Sequence, residues 1–417
     1  MKFKSFTQHG PVGILMLMTL GLSANIVFAE RSETIGTSET IDIPQLQVDA
    51  YMRGLARYNQ GEFQAAIKEF NQALKDDPKY ALAYVGRGLA SFMLSNKESA
   101  LKDFNRALII DPNLAEAYTN RGVVHTDMGN KMAALEDYTQ ALSINPKSVF
   151  AYANRGLIRA ELGDQKGAIE DYTQALSLDP KDAFSYLRRG EARFNSGNKK
   201  GAIEDYNQAL SLNPKDALIY QSRADAHYAL GDKKAAIEDY TQAINIAPNS
   251  ANAYLNRGNI YFELGEQNLA MKDYDEAIKI NPKFAIAYYN RGITRARSGD
   301  KKTAVEDYNQ ALSIDPKYAD AYINRGIARA GLGDFKGALA DYQVALNLTP
   351  ENATIYENRG DALLSLGEKS KAIEDYQKAA NLFKLKGNME RSQKLLGTIQ
   401  KLQSEPALKK SSPSVTP

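Results

Sequence analysis

Between Gln47 and Lys384 the alternation of apolar and polar positions repeats every 34 residues, ten times and without an insertion. The units start at Gln47, Ala81, Ala115, Val149, Ala183, Ala217, Ala251, Ala285, Ala319 and Ala353. Each contains two apolar runs of helical spacing separated by a short polar break. In the fourth unit "FAYANRGLIRAEL" reads as a first helix, "GDQKG" as the break and "AIEDYTQALSL" as a second helix. Gly163 supplies a stop and Asp164 a cap for the next helix. Asp179-Pro180 ends that helix, because proline removes a backbone donor and clashes with the turn before it. Proline closes nine units, from Pro78 to Pro350. Linkers this short make neighbouring helices antiparallel. A unit of this size cannot bury its own apolar face, so the period predicts a stacked array.

Small residues fix how closely the helices approach. Numbering each unit from its first residue, position 20 is alanine from Ala66 to Ala372, and position 27 from Ala73 to Ala379. Position 8 is glycine in nine units and Ala224 in the other. Aromatic residues at positions 4 and 24, such as Tyr152 and Tyr172, fill the remaining space. Small residues at 8, 20 and 27, aromatics at 4 and 24, and proline at 32 together resemble the tetratricopeptide repeat (TPR) family. The resemblance covers about four-fifths of the chain. It implies an all-α, right-handed superhelical solenoid of ten helix-turn-helix units. Two departures stand out. Tyr84 and its eight successors hold position 4, where the family often has tryptophan, and Ala50 holds it in the first unit. Position 7, usually apolar in the family, is arginine in all ten units.

Position 23 is acidic in all ten units, as Glu69 and then Asp103 to Asp375. In an antiparallel stack positions 7 and 23 lie nearly level, which predicts a repeated ion pair such as Arg155 with Asp171 and Arg189 with Asp205. A feature of every unit serves the fold, since a ligand contacts only some units.

Position 6 is asparagine in six units: Asn120, Asn154, Asn256, Asn290, Asn324 and Asn358. The resemblance implies that first helices line a concave groove, where an asparagine ladder holds an extended peptide by its backbone. An amide suits that role, since it donates and accepts. The alternative is a hydrogen bond within the repeat. Positions 2, 5, 9, 12 and 13 face the same groove by resemblance. They supply Leu89, Phe92, Phe184, Phe194, Tyr289, Ile293 and Ile327 as a peptide-binding row, unless neighbouring units bury them. The acidic-tail clamp of TPR co-chaperones is absent. Asn154 and Arg188 match two of its elements, but Thr119, Val123 and Phe184 occupy the others.

Composition narrows the chemistry. Lys+Arg is 52 and Asp+Glu 50, and removing Lys2 and Lys4 leaves 50 against 50. That balance lacks the clustered excess cation that phosphates need, so no nucleic-acid partner is expected. There is no cysteine, which excludes thiol catalysis, zinc–thiolate sites and disulfides. His125 and His227 both sit at position 11, without a third residue to orient them as base or ligand. No catalytic residues, cofactor or metal are expected.

The flanks complete the organisation. Residues 1–29 have the layout of a secretory signal: Lys2 and Lys4, an uncharged run, then Val27-Phe28-Ala29. An uncleaved anchor is the rival, since the run is long enough to span a bilayer, and membrane contact follows only in that case. Residues 30–46 read as a flexible lead, 385–403 as a C-terminal capping helix and 404–417 as a disordered tail. The expected function is a non-enzymatic scaffold that binds a protein or peptide segment in its groove and assists assembly outside the cytoplasm. The resemblance to bacterial arrays places it in the periplasm. The alternative is a non-catalytic subunit that binds glycan or another envelope polymer.

Overall fold

The computed structural model describes residues 45–404. The expected signal, most of the lead and most of the tail lie outside that range. The described residues form helices and turns throughout and fall into two compact blocks that divide after Asp239. No helix among them is long and apolar enough to cross a membrane.

The first block is built from α1 (Gln45–Asn59), α2 (Phe63–Asp76), α3 (Ala81–Met93), α4 (Lys97–Ile110), α5 (Ala115–Asp127), α6 (Lys131–Ile144), α7 (Val149–Glu161), α8 (Gln165–Leu178), α9 (Ala183–Asn195), α10 (Lys199–Leu212) and α11 (Ala217–Ala229). The division falls inside α12 (Lys233–Ile246). The second block holds α13 (Ala251–Glu263), α14 (Gln267–Ile280), α15 (Ala285–Arg297), α16 (Lys301–Ile314), α17 (Ala319–Ala330), α18 (Phe335–Leu348), α19 (Ala353–Ser365), α20 (Lys369–Leu385) and α21 (Met389–Ser404). This is an all-α solenoid of ten helical hairpins. Within each block every helix packs on the next, and each first helix also touches the first helix of the following unit.

Local chemistry sets the element ends. In the fourth unit Gly163 turns the chain at φ 89°, a left-handed backbone that costs glycine little. The Asp164 side chain then accepts from the Gly167 amide at 2.9 Å, satisfying one orphan donor at the start of α8. Ser95 holds the same turn position in the second unit at φ 62°. Lysines at position 17 secure the far ends: Lys199 Nζ donates to the Ala229 carbonyl at 2.8 Å, where the last turn of α11 leaves acceptors unpaired.

The core repeats with the sequence. Position 24 is sealed from solvent as Tyr138, Tyr172, Tyr206, Tyr274, Tyr308 and Tyr342. Burial pushes the hydroxyls of all six upward. A group whose folded pKa is raised contributes stability that is fully present below its unfolded value and is lost as pH climbs above it. The array's melting temperature should therefore be level from neutral pH to about pH 10 and fall steeply beyond, each buried tyrosine losing about 1.4 kcal/mol per pH unit. Circular-dichroism melts across that range test this, and a flat profile to about pH 11 would contradict it.

At the end of the second block α21 packs on α20 through Ser392, Leu395, Ile399 and Leu402. Arg391 donates to Glu357 at 2.5 Å and lies over the Phe383 ring.

Candidate functional site

Two side-chain systems run along the array, and a cavity opens beside each: a polar one at Tyr186, Arg189, Arg193 and Asp205 and a small apolar notch at Leu89, Phe92 and Met93. The first is the charged ladder. Arginine at position 7 meets the acidic residue at position 23 in all ten units. Arg155 Nε donates to Asp171 Oδ2 at 3.0 Å and its Nη2 to Oδ1 at 2.7 Å. Arg189 holds Asp205 with the same fork, Nη2 to Oδ1 at 2.7 Å and Nε to Oδ2 at 3.1 Å. In eight units the remaining guanidinium nitrogen reaches back to position 25 of the preceding unit. Arg87 meets Asn71 at 2.6 Å, Arg189 meets Thr173 at 3.2 Å and Arg291 meets Asp275 at 2.7 Å. In the nine units with tyrosine at position 4, the guanidinium also lies on that ring, as Arg189 does 5.5 Å from the Tyr186 centroid. One arginine thus ties three helices.

Position 11 adds to that ladder. Arg159 reaches the second oxygen of Asp171 at 3.0 Å, and Arg193 that of Asp205 at 2.9 Å. His125 and His227 stand at the same place, 4.0 Å from Asp137 and 3.9 Å from Asp239. Burial pulls the His125 imidazole below its usual value, against the pull of Asp137. Burial holds the Asp137 carboxyl above its usual range even though Arg121 bonds it. The described residues hold no His/Asp/Glu group that could bind a metal.

The second system is the first-helix face, where the structure sorts the expected groove residues into lining and core. Leu89, Tyr289 and Ile293 are buried, which corrects their reading as an open row. Consecutive first helices touch, and position 9 is buried at Leu89, Val123, Leu157, Asn259 and Ile293. Phe92, Phe184 and Phe194 stay half-buried, and Ile327 is 38% exposed. In the first block a narrow apolar notch opens among Tyr58, Leu89, Phe92, Met93, Asn120 and Val123, with Met93 37% exposed.

The asparagines do not form an even ladder. Asn290 has no exposed surface, and its Nδ2 donates to Asn259 Oδ1 at 2.8 Å, an atom that also accepts from the Tyr274 hydroxyl at 2.9 Å. Asn324 is buried and donates to the Tyr289 hydroxyl at 2.9 Å. Asn154 is buried and donates to the Phe150 carbonyl of its own helix at 2.8 Å. Asn120 is buried at the apolar notch, whereas Asn256 and Asn358 are half-buried. Buried amides must be paired, and polar groups of the preceding first helix are the nearest partners for Asn290 and Asn324. Asn154, Asn290 and Asn324 thus spend their amides inside the array rather than on an open ladder. The acidic residues of this face are also committed elsewhere: Asp127 to Lys97 at 2.6 Å, Glu161 to Lys131 at 3.0 Å and Glu357 to Arg391.

One polar feature went unread in the sequence. In the fifth unit Arg188 and Glu191 replace the asparagine of position 6 and the apolar residue of position 9, and they pair at 2.7 Å. Both side chains are largely buried.

Comparison with known proteins agrees with this architecture. Models described as TPR repeat or tetratricopeptide repeat match residues 51–115, 115–148, 156–197, 190–231, 224–265, 258–299, 296–333, 329–367 and 353–384. No curated protein matches the chain. Among solved structures the chain is similar to the MamA protein, at 29% identity over 41% of this chain and 94% of that one, with a TM-score of 0.38. A tetratricopeptide repeat protein from Parabacteroides merdae matches at 22% identity over 60% and 99%, with a TM-score of 0.45. YrrB, described as a TPR protein with an unusual peptide-binding site, matches at 22% over 45% and 96%, with a TM-score of 0.39. The repeat models span well over half of the chain, in phase with its helical hairpins, and the chain belongs to the tetratricopeptide repeat family.

Proposed function

We propose that this chain is a non-enzymatic scaffold that binds a polypeptide segment along the first helices of its first block and assists assembly outside the cytoplasm. TPR proteins are generally protein-interaction scaffolds and are typically non-catalytic. The observation that carries the reading is the apolar notch between the first three units, with Phe92 half-buried and Met93 exposed at its edge. Apolar side chains left partly exposed beside such a notch are what an extended or helical segment seats on. The basic, uncharged and small-residue layout of residues 1–29 supports delivery across a membrane.

A photo-crosslinking residue at Met93, in the full chain within cells, tests this. The expected result is one dominant protein adduct in an extracytoplasmic fraction, lost when Phe92 becomes glutamate while the helical signal and melting temperature hold. Polymer adducts alone would favour a glycan- or polymer-binding subunit instead, and no adduct would move binding away from this face. Recovery of the chain only in the cytoplasm would overturn the export.

A further inference from the structure

The apolar floor of the first block ends at a polar cluster. Position 9 runs Leu89, Val123, Leu157 and then Glu191. Arg188 is 6% exposed, its Nη1 donates to Glu191 Oε2 at 2.7 Å, and its guanidinium lies 5.1 Å from the centroid of the half-buried Phe184 ring. Three buried atoms beside this bond have no partner: Arg188 Nε, Glu191 Oε1 and the Tyr172 hydroxyl oxygen. Orphaned buried polar atoms are rare and costly, and these sit next to each other beside the half-buried Phe184 ring.

The charges of the cluster select what fits. Arg188 and Glu191 already neutralise one another. A second carboxylate would meet Glu191, and a cation would meet Arg188. A neutral amide instead offers a carbonyl to Arg188 Nε–H and an N–H to Glu191 Oε1, with the Tyr172 hydroxyl as a third partner. We infer that the Arg188–Glu191–Tyr172 cluster receives an amide of the bound segment, a glutamine or asparagine side chain or a backbone peptide group. The half-buried Phe184 ring lies over the Arg188 guanidinium and must turn aside to admit that amide. This inference rests on the groove reading above and adds the chemistry of one anchor position.

The probe is a synthetic peptide library of alternating leucine and serine with one variable residue at either end, presented to the full chain. Peptides with Gln or Asn there should bind about tenfold tighter than those with Met, Glu or Lys, since hydrogen bonds to charged groups carry that much. Arg188→Met with Glu191→Met should erase the preference while leaving binding of the Met peptides and the helical signal intact. Tyr172→Phe should keep the fold and weaken the preference. Equal binding of Gln and Met peptides, with about a tenfold loss on replacing the neighbouring backbone amide by an ester, would assign the site to a backbone group. Peptide binding with neither preference would overturn the inference and leave the groove, the orphaned atoms then holding only water. Preference for Glu or Lys would overturn it as well. No binding by any peptide would remove the groove reading together with it.

Discussion

Replacing Asp205 with alanine is expected to cost the array about 3–5 kcal/mol, more than replacing Arg189. The asymmetry comes from the geometry of the ladder. Asp205 is nearly sealed, with 3% of its side chain exposed against 13% for Arg189. It accepts from Arg189 through both oxygens and also from Arg193 at 2.9 Å. Removing the carboxylate strands two half-buried guanidinium groups, whereas removing Arg189 leaves Arg193 in place to hold Asp205. The pair Arg189–Asp205 is therefore not a closed unit, and a double mutant of these two alone should recover only part of the loss. The second unit provides the control, because Ser91 stands where Arg193 does in the fifth. There Arg87 and Asp103 form a simple fork at 2.9 and 2.6 Å. Arg87→Ala with Asp103→Ala should cost clearly less than the sum of the single changes. Urea denaturation of the six variants measures this, and additive losses at both sites would sink the account.

Which parts of this were legible in the sequence follows from how far each signal reaches. The glycine of position 8, the alanines of positions 20 and 27 and the closing proline of position 32 act through local sterics, so they mark the hairpins directly. The partner of position 7 was legible because both of its members keep their charge in every unit. The second partner was not: position 25 is Asn71, Thr173, Asp275 or Gln343, and no single residue type signals the contact. Asn290 misleads for a related reason. Its environment is set by Asn259, one unit back on the neighbouring first helix, and that residue has a polar counterpart at position 9 in few other units. Burial of Leu89 and Ile293 depends on how closely consecutive first helices approach, which the spacing within one unit does not report. The lesson for the site is specific. Arg188 and Glu191 break the repeat and pair with each other, whereas Asn290 and Asn324 follow it and are spent inside the array.

Tyr206 should be the other position of large effect. Its ring is buried and fills the gap that Gly190 leaves on α9, so close that a methyl group on Gly190 would stand 2.6 Å from Cε1 of the ring. Tyr206→Ala removes the ring from the centre of a hairpin whose helices are held apart by their backbones, and the cavity should cost about 3–5 kcal/mol. Gly190→Ala attacks the same contact from the other side. The methyl group would stand 2.6 Å from a ring that is itself buried, and overpacking should cost about 1–3 kcal/mol. The two changes together should cost less than their sum, because the new methyl group enters the space that the ring vacates. That negative coupling separates a shape-matched contact from two independent losses. In a stack where each unit leans only on its neighbours, the loss of one interior hairpin also divides the cooperative transition. Hydrogen exchange should then show amides of α9 and α10 opening before those of α3 and α4. Uniform protection in the Tyr206→Ala variant, or strict additivity with Gly190→Ala, would mean that the ring and the glycine are not the contact that sets the spacing of the array.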